Sequence, residues 1–258
     1  MENGNKIFML SLFFLSLGSY QLFPALENRN QLMFFFDKIE VSGDLDVFVK
    51  KGPKRGKVSI YADGEIIDSV SAKVSQKTLF LDANNSFEIK KRIPFIKVNA
   101  TRKFPVEVMV YVEEISELRI MDASNLTCSH VKSSHLKIFH SSTGNVHIES
   151  VNSPEIKVQH IGSGQISLQG KQTSNLEVEV RGNGMLNAGD LEVKKAKVVH
   201  YGNSEIALNP AHWLDVRLLS SGNIFLHQNP INSVINLKGT GKIKHLFAPE
   251  LRADVLPE

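Results

Sequence analysis

Apolar and polar residues alternate along most of this chain, and from about Ser116 to Leu246 the alternation comes in blocks of about twenty residues. Each block reads apolar-x-apolar-x-apolar, then a corner rich in glycine and serine, then apolar-x-apolar. The corners are marked by Ser124, Gly144, Gly164, Gly184, Ser204, Gly222 and Gly241, spaced 20, 20, 20, 20, 18 and 19 residues apart. Alternation with period two is the pattern of a half-buried strand, because successive side chains point to opposite faces. Two short strands joined by a tight corner cannot bury their apolar face alone, whereas stacked copies share one continuous core. A coil of about 20 residues rising by one strand spacing of about 4.8 Å is the geometry of a β-helix, since a propeller blade needs a repeat about twice as long. The pattern predicts an all-β fold, a single-stranded parallel β-helix of about seven coils over residues 113–246.

The same rule assigns faces. Leu136, Ile138, Val146 and Ile148 point inward in one coil, and Ile156, Val158, Ile166 and Leu168 do so in the next, while Lys137, Lys157, Glu177 and Lys197 point out to solvent. Residues 34–112 read as an N-terminal β segment. Strands around Ile39 and Val47 flank Gly43, a strand follows at Val58–Ala62, Ile66–Val70 forms one helical turn, and a hairpin turns about Gln76 and Lys77. The alternation lapses over 84–103, a basic insertion or loop, and returns at Val106–Val112. The opening segment is expected to cap one end of the stack. The tail 247–258, with Pro249 and Pro257, is expected to blunt the other.

Composition adds constraints. The chain has 258 residues, 42% hydrophobic and 22% charged, enough for a sizeable core, and a net charge of only +3 gives no electrostatic case for nucleic acid. Between Phe34 and Pro105 there are 14 Lys/Arg against 9 Asp/Glu, a local excess of 14 − 9 = +5 that reads as solvated loop charge. The single cysteine, Cys128, excludes an intrachain disulfide and occupies the slot of Ile148 and Leu168, so it reads as a buried small hydrophobe. At the N-terminus Lys6 precedes an apolar run from Ile7 to Leu17, and Ser16-Leu17-Gly18 supplies small residues for cleavage. Residues 1–30 are therefore expected to be a signal peptide or N-terminal anchor, with membrane contact only through residues 1–24 if uncleaved.

Candidate chemistry is sparse. His140, His160 and His200 share the slot immediately before the corner, where other coils carry Ile120, Val180, Leu218 and Leu237. His140 and His160 should stack on adjacent coils and are weak metal candidates, but the slot otherwise holds apolar residues and no carboxylate joins it. The expectation is a half-buried packing ladder, with no metal and no cofactor. Gly162-Ser163-Gly164 lacks the following helix of a phosphate loop, so its glycines are expected to serve corner geometry with φ > 0. Asp122, Asp190 and Asp215 fall at different repeat positions and form no acidic column for glycan cleavage. Ser141, Ser142 and Ser163 lie near histidines, yet no placed acid completes a triad. Asn125, Asn145 and Asn223, with Gln165, share the slot after the corner and read as an amide ladder.

The opening Phe36-Asp37-Lys38-Ile39-Glu40-Val41-Ser42-Gly43 with Leu45–Val49, and the corners Gly162-Ser163-Gly164, Gly182-Asn183-Gly184 and Gly239-Thr240-Gly241, resemble the putative auto-transporter adhesin head GIN domain family over residues 34–246. The resemblance implies a right-handed β-helix, export in bacteria to the periplasm, outer surface or medium, and no assigned chemistry. Several corners depart from the family's glycines, at Ser124, Ser204 and Ser221, and the 84–103 stretch is longer than its pattern. The function expected is a non-enzymatic exported binding or adhesion-type module whose partner is an unknown protein or glycan at the cell envelope, as a monomer or self-associating. A carbohydrate-active β-helix enzyme and a self-assembling envelope scaffold are the alternatives.

Overall fold

Alternation becomes strand throughout the residues that the computed structural model describes, 26–84, 86–93 and 96–246. The N-terminal part contributes β1 (Leu26–Leu32), β2 (Lys38–Gly43), β3 (Asp46–Lys51), β4 (Lys57–Asp63), a 3-10 turn at Ile67–Ser69, β5 (Val70–Ser75), β6 (Thr78–Ala83), β7 (Ser86–Ile93), β8 (Ile96–Lys103) and β9 (Val106–Val112). The repeats contribute β10 (Glu117–Ile120), β11 (Asn125–Cys128), β12 (Val131–Lys132), β13 (His135–His140), β14 (Val146–Asn152), β15 (Glu155–His160) and β16 (Ile166–Gly170). They continue with β17 (Gln172–Val180), β18 (Leu186–His200), β19 (Ile206–Leu218), β20 (Ile224–Leu226), β21 (Asn232–Leu237) and β22 (Ile243–His245).

These strands stack in parallel as a β-solenoid whose register matches the repeat. One inward column passes Leu118, Ile138, Val158, Val178, Val198, Val216 and Ile235, seven layers and so about six turns. Every member but the last is at most 2% exposed. Each layer buries apolar area only by resting on its neighbours, so the core is continuous rather than assembled from separate units.

The N-terminal segment is more than a cap. β2 and β3 form a layer of their own, carrying β10 and β11 on one side and β6 and β9 on the other, all parallel. The chain therefore skips a finished layer as it passes from β9 to β10. Beyond β6 and β9 the direction reverses: β5 runs antiparallel to β6, β4 to β9, and β1 to β4. Antiparallel strands seal this end against further coils. Leu26–Asn30, the last residues of the span 1–30, pair with β4 in the sheet, while residues 1–25 lie outside the described residues. Within the 84–103 stretch, expected as an insertion or loop, β7 and β8 pair antiparallel as a separate two-stranded sheet. Gln76 and Lys77, with φ of 47° and 61°, make the tight turn between β5 and β6.

Among the described residues, no strand covers the far end. Every residue of β21 is exposed, including Ile235 and Leu237, whose counterparts in the layer below, Val216 and Leu218, are fully buried. The tail 247–258 expected to blunt this end lies outside the described residues.

The corner glycines serve a purpose other than the one expected. Among the described residues only Gly43 is a glycine with positive φ, at 90°. At the corners the coils simply approach too closely for a side chain: a Cβ on Gly164 would lie 1.7 Å from the Gly144 carbonyl oxygen, and one on Gly184 would lie 1.9 Å from that of Gly164. Gly164→Ala should therefore lower stability by about 1–3 kcal/mol through overpacking, a fall in Tm of roughly 2–12 °C by thermal unfolding. Serine already stands in this slot at 124 and 204, so the stack can yield there and the variant should still fold. An unchanged Tm would contradict the close-contact account.

The amide ladder forms between side chain and backbone. Asn125 Oδ1 accepts the N–H of Asn145 at 2.7 Å, Asn145 Oδ1 accepts that of Gln165 at 2.8 Å, and Asn223 Oδ1 accepts that of Lys242 at 3.1 Å. Each amide thereby ties one coil to the next.

Candidate functional site: the histidine column and the outer wall

The register sets Ile120, His140, His160, Val180, His200, Leu218 and Leu237 in one column, as the spacing predicts. His140 and His160 stack with ring centroids 4.8 Å apart and a 2.9 Å contact between their Nδ1 atoms. The ladder is fully buried and not half-buried: all three histidines are 0% exposed, because alternation turns this slot into the core.

Hydrogen-bonding partners fix the tautomers. His140 Nε2 donates to the Gly144 carbonyl at 2.9 Å, which leaves Nδ1 of the neutral ring as an acceptor for His160 Nδ1–H. His160 Nε2 is then a bare nitrogen in the core, with no partner that meets hydrogen-bond geometry. His200 Nε2 donates to the Ser204 carbonyl at 2.9 Å and leaves its own Nδ1 bare. Adding a proton to His140 would set two N–H groups against each other at 2.9 Å unless His160 moved its own proton to the buried, partnerless Nε2. Burial accordingly pushes His140 down to about 4, helped by the His160 charge and opposed by the Gly144 carbonyl. His160 and His200 are also lowered by burial, partly offset by neighbouring backbone. Small corner residues make room for the rings: a Cβ on Gly184 would lie 2.4 Å from His160 Nε2, and one on Gly222 2.1 Å from His200 Nε2.

The other polar candidates are used by the fold. Ser142 is fully buried, donates to the Ser124 carbonyl at 2.8 Å and accepts the Gly144 N–H at 2.9 Å. Asp122 takes a left-handed φ of 57°, and its carboxylate accepts the Gly43 N–H at 2.8 Å. The Cys128 thiol is pushed up to about 12 by burial and donates to the His130 carbonyl, so it is a packed hydrophobe and not a nucleophile.

What the fold offers to solvent is a wall. The outward residues of β10, β13, β15, β17, the second half of β18 and the second half of β19 form a flat grid with strand-spacing rows. Three depressions lie on it. One of about 400 Å³ sits among Arg119, Lys137, Phe139, Lys157 and Gln159, and one of about 240 Å³ lies beside it among His135, Lys137, Glu155, Lys157 and Glu177. The third, about 310 Å³, lies further along, between Asn175 and Asp215. Charges interleave: Glu177 Oε2 is 3.2 Å from Lys157 Nζ and Glu177 Oε1 is 3.7 Å from Lys197 Nζ, while His135 Nε2 is 3.1 Å from Glu155. Exposed pairs of this kind contribute little to stability. Aromatic rings carry guanidinium groups, Arg181 over Tyr201 at 4.5 Å and Arg119 over Phe139 at 5.7 Å. The Arg181 guanidinium, hydrogen-bonded at 2.5 Å, holds the Glu179 carboxyl below the usual range. Alternation places Lys137, Lys157 and Glu177 outward, and the signal in the sequence that marks this wall is its outward aromatic residues, Phe139, Tyr201 and Trp213.

The family model described as "putative auto-transporter adhesin, head GIN domain" matches residues 35–230. The chain belongs to this family. No functionally curated protein matches the sequence. Among solved structures, this GIN domain is similar to a putative adhesin from Bacteroides fragilis, with a TM-score of 0.73, 21% identity, and coverage of 86% of this chain and 97% of that one. It is also similar to a putative lipid binding protein from Parabacteroides distasonis (TM-score 0.63, 18% identity, 86% and 97% covered) and to a putative adhesin from Parabacteroides merdae (0.54, 16%, 86% and 96%). At these identities the likeness establishes the fold alone.

Proposed function

We propose that this GIN domain is a non-enzymatic, exported binding module of the bacterial envelope, and that the wall from β10 to β19 is its contact surface for a protein or glycan. The observation that carries the reading is the gathering of three depressions on one wall, lined by exposed cationic, anionic and aromatic side chains. Interfaces draw their energy from aromatic and arginine residues framed by polar groups, which is the composition found there. The opposite wall presents Thr127, His147, Ser167, Asn187 and Ala207 in the same layers, a column flanked by Phe48 and Phe225 at its two ends. The adhesin names of the family and its structural relatives agree with a surface role.

Purified protein should co-sediment saturably with isolated bacterial envelopes. The variant Lys137→Glu, Lys157→Glu should lose at least fivefold in retention, while Thr127→Glu, Ser167→Glu on the opposite wall should keep it. Equal loss in both variants, or no retention of the wild type, would overturn the wall assignment. Release of new reducing ends from envelope polysaccharide would overturn the non-enzymatic reading.

A further inference from the structure

The coil that carries Trp213 breaks the repeat in two places. Between Ser204 and Gly222 it has 18 residues instead of 20. The register shows where the difference arises. Ala188 pairs with Leu208 and Glu192 with Asn209, so three residues are lost at that corner. Val193 then pairs with Pro210 and Lys195 with Trp213, so Ala211 and His212 together face Lys194, and one residue is regained immediately before Trp213. A bulge of this kind bends the strand and re-aims the side chain that follows it. Pro210 fits beside it, having no N–H to place in the ladder.

The side chain so placed is the only tryptophan of the chain, 41% exposed on the outer wall at the edge of the 310 Å³ depression. Around that depression stand Asn175, Glu177, Lys195, Lys197, Trp213 and Asp215. Two lysines balance two carboxylates, so the site carries no formal charge. Its donors and acceptors interleave at strand spacing: Glu177 faces Lys197, and Lys197 faces Asp215. An anion would meet Glu177 and Asp215, and a cation would meet the lysines. A hydroxyl group both donates and accepts and satisfies either neighbour. An extended peptide would find no backbone to pair with, because β17, β18, β19 and β21 are already laddered to one another across the wall. A lipid chain would find a single ring in a polar surround.

We propose that this depression is a subsite for a neutral sugar ring of an oligosaccharide, with Trp213 as the stacking platform and Asn175, Glu177, Lys195, Lys197 and Asp215 as partners for its hydroxyl groups. Trp213 gives the apolar face of the ring a flat surface to lie on, and the bulge turns that surface toward the depression. The inference rests on the wall reading above and narrows it to one ligand class and one place.

Because Trp213 is the sole tryptophan, its fluorescence reports on this site alone. The full chain is titrated with neutral hexasaccharides of glucose, mannose and N-acetylglucosamine and screened on an array of neutral and acidic glycans. At least one neutral glycan should shift the emission saturably. Trp213→Ala, with an unchanged far-UV circular dichroism spectrum, should bind it at least tenfold more weakly, and Trp213→Phe should recover part of the loss. The proposal falls if no neutral glycan shifts the emission, if only acidic glycans do, or if Trp213→Ala binds within about threefold of wild type. Should Lys137→Glu, Lys157→Glu abolish envelope retention while Trp213→Ala leaves glycan binding intact, this subsite is wrong and the wall reading survives. Loss of retention by neither variant removes both.

Discussion

Replacing Val158 by aspartate should abolish or severely weaken the folded stack. Val158 is 0% exposed and sits between Ile138 and Val178 in the inward column. The substitution removes about 1.5–3 kcal/mol of apolar burial and adds an unsatisfied polar group costing about 1–3 kcal/mol even when protonated. An ionised carboxylate there would have no buried cation within the column and would cost more. Each coil is stabilised by contacts with the coils above and below, so the loss is felt at two interfaces. The expected result is a Tm at least about 8 °C lower, or no cooperative transition at all. Lys137→Asp is the control: its position lies on the outer face of the adjacent layer, between Glu117 and Lys157, and it should change stability by no more than about 0.5 kcal/mol. Similar melting of Val158→Asp and wild type would refute the inward assignment on which the column argument depends.

Those columns were readable because the repeat is nearly constant. With five successive corners spaced by 20 residues, alignment on the corner is also alignment in space, and the prediction that His140 stacks on His160 needs nothing more. The N-terminal arrangement escapes the same logic. Alternation in β2, β3, β6 and β9 tells which side chains face inward, yet a strand in the middle of a stack looks the same whichever neighbours it has. The insertion of the β2 and β3 layer between β9 and β10 therefore leaves no local mark. β1 was missed for a related reason: most of Leu26–Leu32 is exposed, so its pairing with β4 rests on backbone hydrogen bonds and carries no apolar pattern. In β7 and β8 the alternation of Phe87, Ile89, Ile96 and Val98 was present but interrupted by Lys90-Lys91-Arg92. Glycine is ambiguous in another way, since a left-handed turn and a close backbone approach require the same residue. Only the distance from Gly164 to the Gly144 carbonyl separates them.

Acid should loosen the histidine-bearing coils before it affects the rest of the stack. The core holds these rings neutral, with His140 lowered to about 4 and His160 and His200 also lowered by burial. In the unfolded chain each imidazole titrates near its ordinary value of about 6.5. Between those limits the unfolded state binds more protons than the native state, so stability rises with pH across the window. The contribution is fully present above about pH 6.5 and is lost progressively as pH falls toward 4, by roughly 2–3 kcal/mol for His140. The His140–His160 contact has room for one proton between the two Nδ1 atoms, so an added proton must go to the buried, partnerless Nε2 of His160, where burial disfavours the charge. Thermal unfolding between pH 7 and 4.5 should therefore show a Tm falling with acid. Hydrogen exchange should place the first loss of protection in β13, β15 and the end of β18. The variant His140→Leu, His160→Leu installs the residue type that the column already accepts at Leu218 and Leu237. It should flatten most of that pH dependence while remaining folded at neutral pH. A wild-type Tm that does not change across this range, or a double variant as acid-sensitive as the wild type, would show that the column is not the acid-sensitive element.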